Sequence, residues 1–89
     1  MLKKTLTIVN KLGLHARAAT KLTRLASQFE SLVLLKHKRQ EVNGKSIMGV
    51  MMLAASKGCE IELSVDGNDE NEAMSKLSDL IKNRFGEEE

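Results

Sequence analysis

The sequence predicts an α+β fold, a two-layer open-faced sandwich in which a four-stranded antiparallel sheet carries three helices on one face. Three observations lead there. Segments near residues 2–8 and 59–66 alternate apolar and polar residues with the period of a half-buried strand. Segments near 16–29 and 73–80 repeat apolar residues at three- and four-residue intervals, the period of an amphipathic helix. Finally, 89 residues leave room for a single domain, read as 1–89. A chain of that size buries roughly 60% of its unfolded surface, enough for one thin core but not for a deep cofactor cavity.

Each element has its own local signal. In the first strand Leu2, Leu6 and Ile8 alternate with Lys3, Thr5 and Thr7, with Lys4 on the apolar side. Asn10 to Gly13 reads as a loop. A helix then runs from about Ala16 to Phe29, with Ala18, Leu22, Leu25 and Phe29 on one face and Arg17, Lys21 and Arg24 on another. Leu32 to Leu35 forms a second strand, Lys38-Arg39 a turn, and Gln40 to Asn43 a short third strand. Asn43-Gly44 is a turn signal, and Ser46 is placed to cap a short helix ending near Leu53. Cys59, Ile61, Leu63 and Val65 alternate with Glu60, Glu62, Ser64 and Asp66 in the clearest strand. Asp66-Gly67-Asn68 turns the chain, and Asp69 with Glu72 reads as a capping box. Ala73, Leu77 and Leu80 mark a last helix closed by Lys82, Arg84 and Gly86. Glu87 to Glu89 reads as a solvated tail. The order is β-α-β-β-α-β-α, and antiparallel strands with one dry face suit an open sandwich.

Composition excludes several functions. Fourteen Lys and Arg against twelve Asp and Glu leave +2, no strong field for tracking phosphates. Trp and Tyr are absent and aromatics make up 2%, so a base-stacking platform is ruled out and nucleic acid is not an expected partner. The N-terminal residues lack the apolar run of a signal peptide or membrane helix. One cysteine forms no internal disulfide. A cytoplasmic, monomeric protein without membrane insertion is expected. His15, His37 and Cys59 lack metal-ligand spacing, so no metal or other cofactor is expected, and Cys59 reads as a small core residue. Gly44-Lys45-Ser46 is not a P-loop, because Arg39 stands where the first glycine is needed.

Two constellations remain. Gly13-Leu14-His15-Ala16-Arg17 spans the junction of a loop and a helix start, with His15 at or beside the N-cap. Free amides there, those of Ala16 and Arg17 among them, favour an anion. The helix start and the Arg17 charge favour a neutral, nucleophilic ring, and after phosphorylation the same groups face a dianion. That suits phosphoryl transfer, in which positioning and charge stabilisation supply most of the catalysis. The plainer reading of His15 is a polar helix cap or a surface histidine. Ser46 is an N-cap by default, and a phosphate there is tolerated by free amides and Lys45. Around it Ile47, Met48, Met51 and Met52 read either as core filler or as an adaptable docking patch.

The chain resembles the histidine-containing phosphocarrier family (HPr) of the bacterial phosphoenolpyruvate-dependent phosphotransferase system over nearly its whole length. The anchors are Gly13-Leu14-His15-Ala16-Arg17-Ala18-Ala19 and Asn43-Gly44-Lys45-Ser46-Ile47-Met48-Gly49. The resemblance implies that His15 accepts phosphate on Nδ1 from Enzyme I, charged by phosphoenolpyruvate, and passes it to an Enzyme IIA domain. It implies that Arg17 stabilises the phosphate and that Ser46 is a target of HPr kinase/phosphorylase. It also implies the strand order 1-4-2-3. Lys21, Arg24, Ile47, Met48 and Met51 are the expected docking residues. Ala18 stands where the family commonly has Pro, which pre-sets φ at a helix start. The motif around Ser46 resembles the sugar-transport branch more than the nitrogen branch. The alternative is a regulatory module that acts by binding partners, with His15 incidental.

Overall fold

The computed structural model describes residues 1–88. Its elements run in the expected order: β1 (Leu2–Thr7), α1 (Ala16–Ala26), β2 (Leu32–His37), β3 (Gln40–Asn43), α2 (Ile47–Met52), β4 (Glu60–Asp66) and α3 (Glu70–Lys82), followed by a single 3₁₀ turn over Arg84–Gly86. The four strands form one antiparallel sheet in the order β1-β4-β2-β3. Register places Leu6 opposite Ile61, Val33 opposite Val65 and Leu35 opposite Leu63. These residues are buried, so the alternating apolar sets of three strands share one dry face. Lys4, on the apolar side of an edge strand, is exposed.

Ala18, Ala19 and Leu22 of α1 and Ala73, Leu77 and Ile81 of α3 complete the core with Ile8 and Phe85. The small α1 residues let the helix approach its neighbours closely. α3 packs against β1 and β4, and α2 against α1 and β3. No helix among the described residues is long and apolar enough to cross a membrane.

Three local expectations are corrected. Helix α1 ends at Ala26, not Phe29. The last turn tightens, with Gln28 N–H bonding Leu25 O and Phe29 N–H bonding Ala26 O, an i to i−3 pattern. Lys45 Nζ then donates to Phe29 O at 2.8 Å, so its ammonium serves the end of this segment. The capping box at Asp69 does not form. Asp69 instead accepts from the backbone N–H groups of Glu30 (2.9 Å) and Ser31 (3.0 Å) and from the Ser31 hydroxyl, tying the α1–β2 loop to the α3 start. The neighbouring Glu70 accepts from Gly67 N–H at 3.1 Å. Third, Glu87 is not a solvated residue. After α3 the backbone turns through left-handed φ at Arg84, Phe85 and Gly86, which drives the Phe85 ring wholly into the core. Glu87 is carried back against the loop before α1. Glu89 lies outside the described residues.

Candidate functional site

The site begins where β1 runs out. Ile8 still pairs with the residues before β4, through Ile8 N–H to Cys59 O (2.9 Å) and Gly58 N–H to Ile8 O (2.8 Å). The chain then folds tightly: Gly13 N–H donates to Asn10 O, and Leu14 N–H to Ala55 O. Gly13 has φ +65°, and a Cβ there would stand 2.5 Å from Ala55 O. Both its conformation and its crowding require glycine. Asn10 is fully buried and donates from Nδ2 to Gly13 O at 2.8 Å. Asn10 and Gly13 thus lock the loop that delivers His15.

His15 is the N-cap of α1 (φ −75°, ψ 178°), and its carbonyl accepts the first helical bond from Ala19 N–H at 2.8 Å. Its side chain makes no capping hydrogen bond, which removes the plain reading of a polar cap. The ring is 28% exposed, at the surface rather than in the core. Nε2 lies 2.6 Å from Glu87 Oε2, and Asn10 Nδ2 donates to the other Glu87 oxygen at 3.0 Å. Among the described residues Nδ1 has no hydrogen bond. An open cavity of about 580 Å³ lies over the ring, lined by Lys11, Leu12, His15, Ala16, Arg17, Glu87 and Glu88. Arg17 is exposed on the first helical turn, on the cavity wall. No acidic residue stands in that turn, so nothing on the helix itself neutralises its anion-attracting start.

The charges around the ring are therefore of both signs, whereas the sequence reading counted only positive ones. Burial works against ionisation of Glu87, but the hydrogen bonds from Asn10 and His15 outweigh it, and the charges of His15 and Lys21 add to them. Its carboxyl is held below the usual glutamate range.

Lys21 and Arg24 are exposed along α1 on the side of Arg17. Lys21 Nζ also donates to Phe85 O at 2.7 Å, which pins the C-terminal turn to α1. Arg24 and Ile47 line one shallow groove with Lys45, so the basic stripe runs on into the region of α2. There Ser46 is the N-cap, its hydroxyl accepting from Gly49 N–H at 3.1 Å. Val50 and Leu53 fill the core, while Ile47, Met48, Met51 and Met52 are exposed, Met48 by 69%. The methionines are surface and not core filler. Cys59 packs partly against the core, its sulfur 3.4 Å from Ser56 Oγ. No metal-binding cluster exists among the described residues. The sequence reading missed Asn10 and Glu87. No local pattern marks either one, although Leu77, Ile81 and Phe85 continue one helical stripe and show that the chain stays on the core as far as Phe85.

Comparison with known proteins gives the family and the fold. Residues 2–83 match the family described as "PTS HPr component phosphorylation site". The chain is 61% identical to phosphocarrier protein HPr of Neisseria meningitidis serogroup B over 89 residues, covering both chains completely. It is 57% identical to that of Cupriavidus necator, again over the full length of both. The crystal structure of HPr-C-His from Thermoanaerobacter tengcongensis superposes with a TM-score of 0.96 at 46% identity and complete coverage of both chains. An HPr dimer from the same organism matches with a TM-score of 0.78 at 46% identity, over 98% of this chain and 100% of that one. The chain thus belongs to the HPr family, the phosphocarrier proteins of the phosphotransferase system.

Proposed function

We propose that the protein accepts a phosphoryl group on Nδ1 of His15 from the phosphohistidine of Enzyme I and passes it to a histidine of an Enzyme IIA domain. The observation that carries this reading is the division of labour on one ring. Nε2 is engaged by Glu87, while Nδ1 has no hydrogen bond among the described residues and the ring stands at the start of α1 beside an open cavity. In the forward step the Nδ1 lone pair forms the bond to phosphorus. The donor's N–P bond breaks, and its electron pair stays on the donor nitrogen. The free amides of Ala16 and Arg17 and the Arg17 guanidinium, which can swing across the cavity, supply donors for the transferring oxygens.

Docking follows the basic stripe of Arg17, Lys21 and Arg24 into Ile47, Met48 and Met51, against acidic surfaces with an apolar centre. Transfer at sub-saturating partner concentration should slow as salt is raised. With Enzyme I, phosphoenolpyruvate and magnesium, His15→Ala should take no label. Arg17→Ala should fold normally and transfer more slowly. A fully labelled His15→Ala protein removes the site, and an unchanged Arg17→Ala rate in both directions removes Arg17.

A second reading is a regulatory binding module controlled by a kinase such as HPr kinase/phosphorylase, or a nitrogen-branch carrier acting by binding. It draws support from Ser46 at the edge of the exposed Ile47–Met52 surface. It also draws on the likeness to a Bacillus subtilis structure named catabolite repression containing protein Crh, with a TM-score of 0.76 at 39% identity over 94% of this chain. Acid-stable phosphate on Ser46 from ATP and the kinase, with none on His15, favours it; acid-labile phosphate on His15 favours the carrier.

A further inference from the structure

We propose that Glu87 is a positioning residue for phosphoryl transfer, its carboxylate holding the His15 ring as the Nε2–H tautomer and stabilising the positive charge the ring gains when Nδ1 bonds phosphorus. This rests on the carrier reading above. Glu87 is held firmly in place. Its two oxygens are taken by separate donors, Nε2 of His15 at 2.6 Å and Nδ2 of buried Asn10 at 3.0 Å. Asn10 is itself fixed by Gly13 O, and that bond settles which end of its amide faces Glu87, since Nδ2 meets two acceptor oxygens. The preceding residues are anchored too, Phe85 by burial in the core and by Lys21 Nζ on its carbonyl. The Glu87 side chain is only 14% exposed, so the pair is shielded from solvent more than an ordinary surface contact.

A carboxylate is an acceptor only, so the neutral ring must carry its proton on Nε2. The Nδ1 lone pair is then free for the attack. The electron count gives the second role. When Nδ1 bonds the phosphoryl group of the donor phosphohistidine, the donor nitrogen keeps the pair from its broken N–P bond. Nε2 of His15 keeps its proton, so the His15 ring becomes a phosphorylated imidazolium. Its positive charge is shared with Nε2–H, directly opposite the carboxylate. This is the relation in which a buried acid orients and stabilises a catalytic histidine without taking its proton. The same contact that readies the ring favours the charged carrier, so Glu87 helps set how much phosphate the protein holds against its donor.

Full-length parent, Glu87→Gln and Glu87→Ala proteins test this. Long-range proton–nitrogen NMR reads the His15 tautomer, and the loading equilibrium against phosphorylated Enzyme I reads the charge. The parent should show the Nε2–H ring alone. Glu87→Ala should show an Nδ1–H fraction and load about tenfold less well, as expected for loss of a hydrogen bond to a charged group. Glu87→Gln keeps the size of the side chain but offers one acceptor oxygen to two donors: turned to His15 Nε2–H it sets its amide NH2 against Asn10 Nδ2, and turned to Asn10 it sets the NH2 against the ring. Whichever way it turns, the charge opposite the ring is gone, so it should load less well than the parent, and parental loading in Glu87→Gln removes the charge role. Parental tautomer and parental loading in Glu87→Ala overturn the proposal. If the parent takes no phosphate at all, the carrier reading fails, and with it the charge role. The tautomer spectra then still decide whether Glu87 holds the ring.

Discussion

Replacing Gly13 by alanine tests how the loop before α1 positions the site. Gly13 sits at φ +65°, where an L-residue costs about 1–2 kcal/mol. Its new Cβ would stand 2.5 Å from Ala55 O and 2.8 Å from Ser56 Cα, both backbone atoms that cannot rotate away. Relieving such a contact costs about 1–3 kcal/mol. It pushes on the carbonyl that accepts from Leu14 N–H at 2.9 Å. The sum is about 3 kcal/mol. For a domain of this size that lowers the melting midpoint by roughly 12–24 °C, at about 4–8 °C per kcal/mol. Urea unfolding of parent and variant measures the loss directly. A loss below about 1 kcal/mol would refute the claim that both conformation and close approach require glycine here. Below its melting range, Gly13→Ala should also accept phosphate more slowly, because Gly13 O no longer fixes Asn10 and the ring shifts.

The remaining predictions concern the supports of the site. Phe85→Ala removes a fully buried ring and should cost about 3–5 kcal/mol in denaturant unfolding; a surface-like change below 1 kcal/mol contradicts its place in the core. Ser46→Ala should lose about 1 kcal/mol through the missing cap on Gly49 N–H, whereas Ser46→Asp keeps a capping oxygen and most of the stability. The Asp69 carboxyl is held below its ordinary range by the Ser31 hydroxyl and then by backbone N–H groups, the Glu30 amide foremost. Its contribution is therefore fully present above the unfolded value of about 3.9 and is lost as pH falls through the lower folded value. Stability of the parent should fall more steeply with acid in that window than that of Asp69→Asn, and parallel profiles would contradict the tether.

What the sequence disclosed and what it hid separate along physical lines. Periodicity reports burial, so β4 with Ile61, Leu63 and Val65 and α1 with Ala18 and Leu22 were legible as elements and as core. Ser46 was legible because a helix start needs a capping acceptor and a serine supplies one, whereas His15 was legible by its place between a glycine loop and a helix start and not by any capping bond of its own. The end of α1 was not legible. Phe29 keeps the helical stripe and is buried while its hydrogen bonds have already changed register. Asp69 carries the signature of a local cap but satisfies amides 38 and 39 residues away. The Glu87 contact spans 72 residues, and three glutamates at a chain end have the composition of a solvated tail. Sequence patterns describe each residue's own turn of helix or strand. They do not say which distant donors the fold will bring to it.

Whether His15 is the phosphate acceptor is decided most directly by labelling the full-length protein with phosphoenolpyruvate, Enzyme I and magnesium, then mapping the label by mass and the bonded nitrogen by phosphorus NMR. One acid-labile phosphate, on Nδ1 of His15, is the expected result. Phosphate on Nε2, on His37, or nowhere on the chain would contradict it.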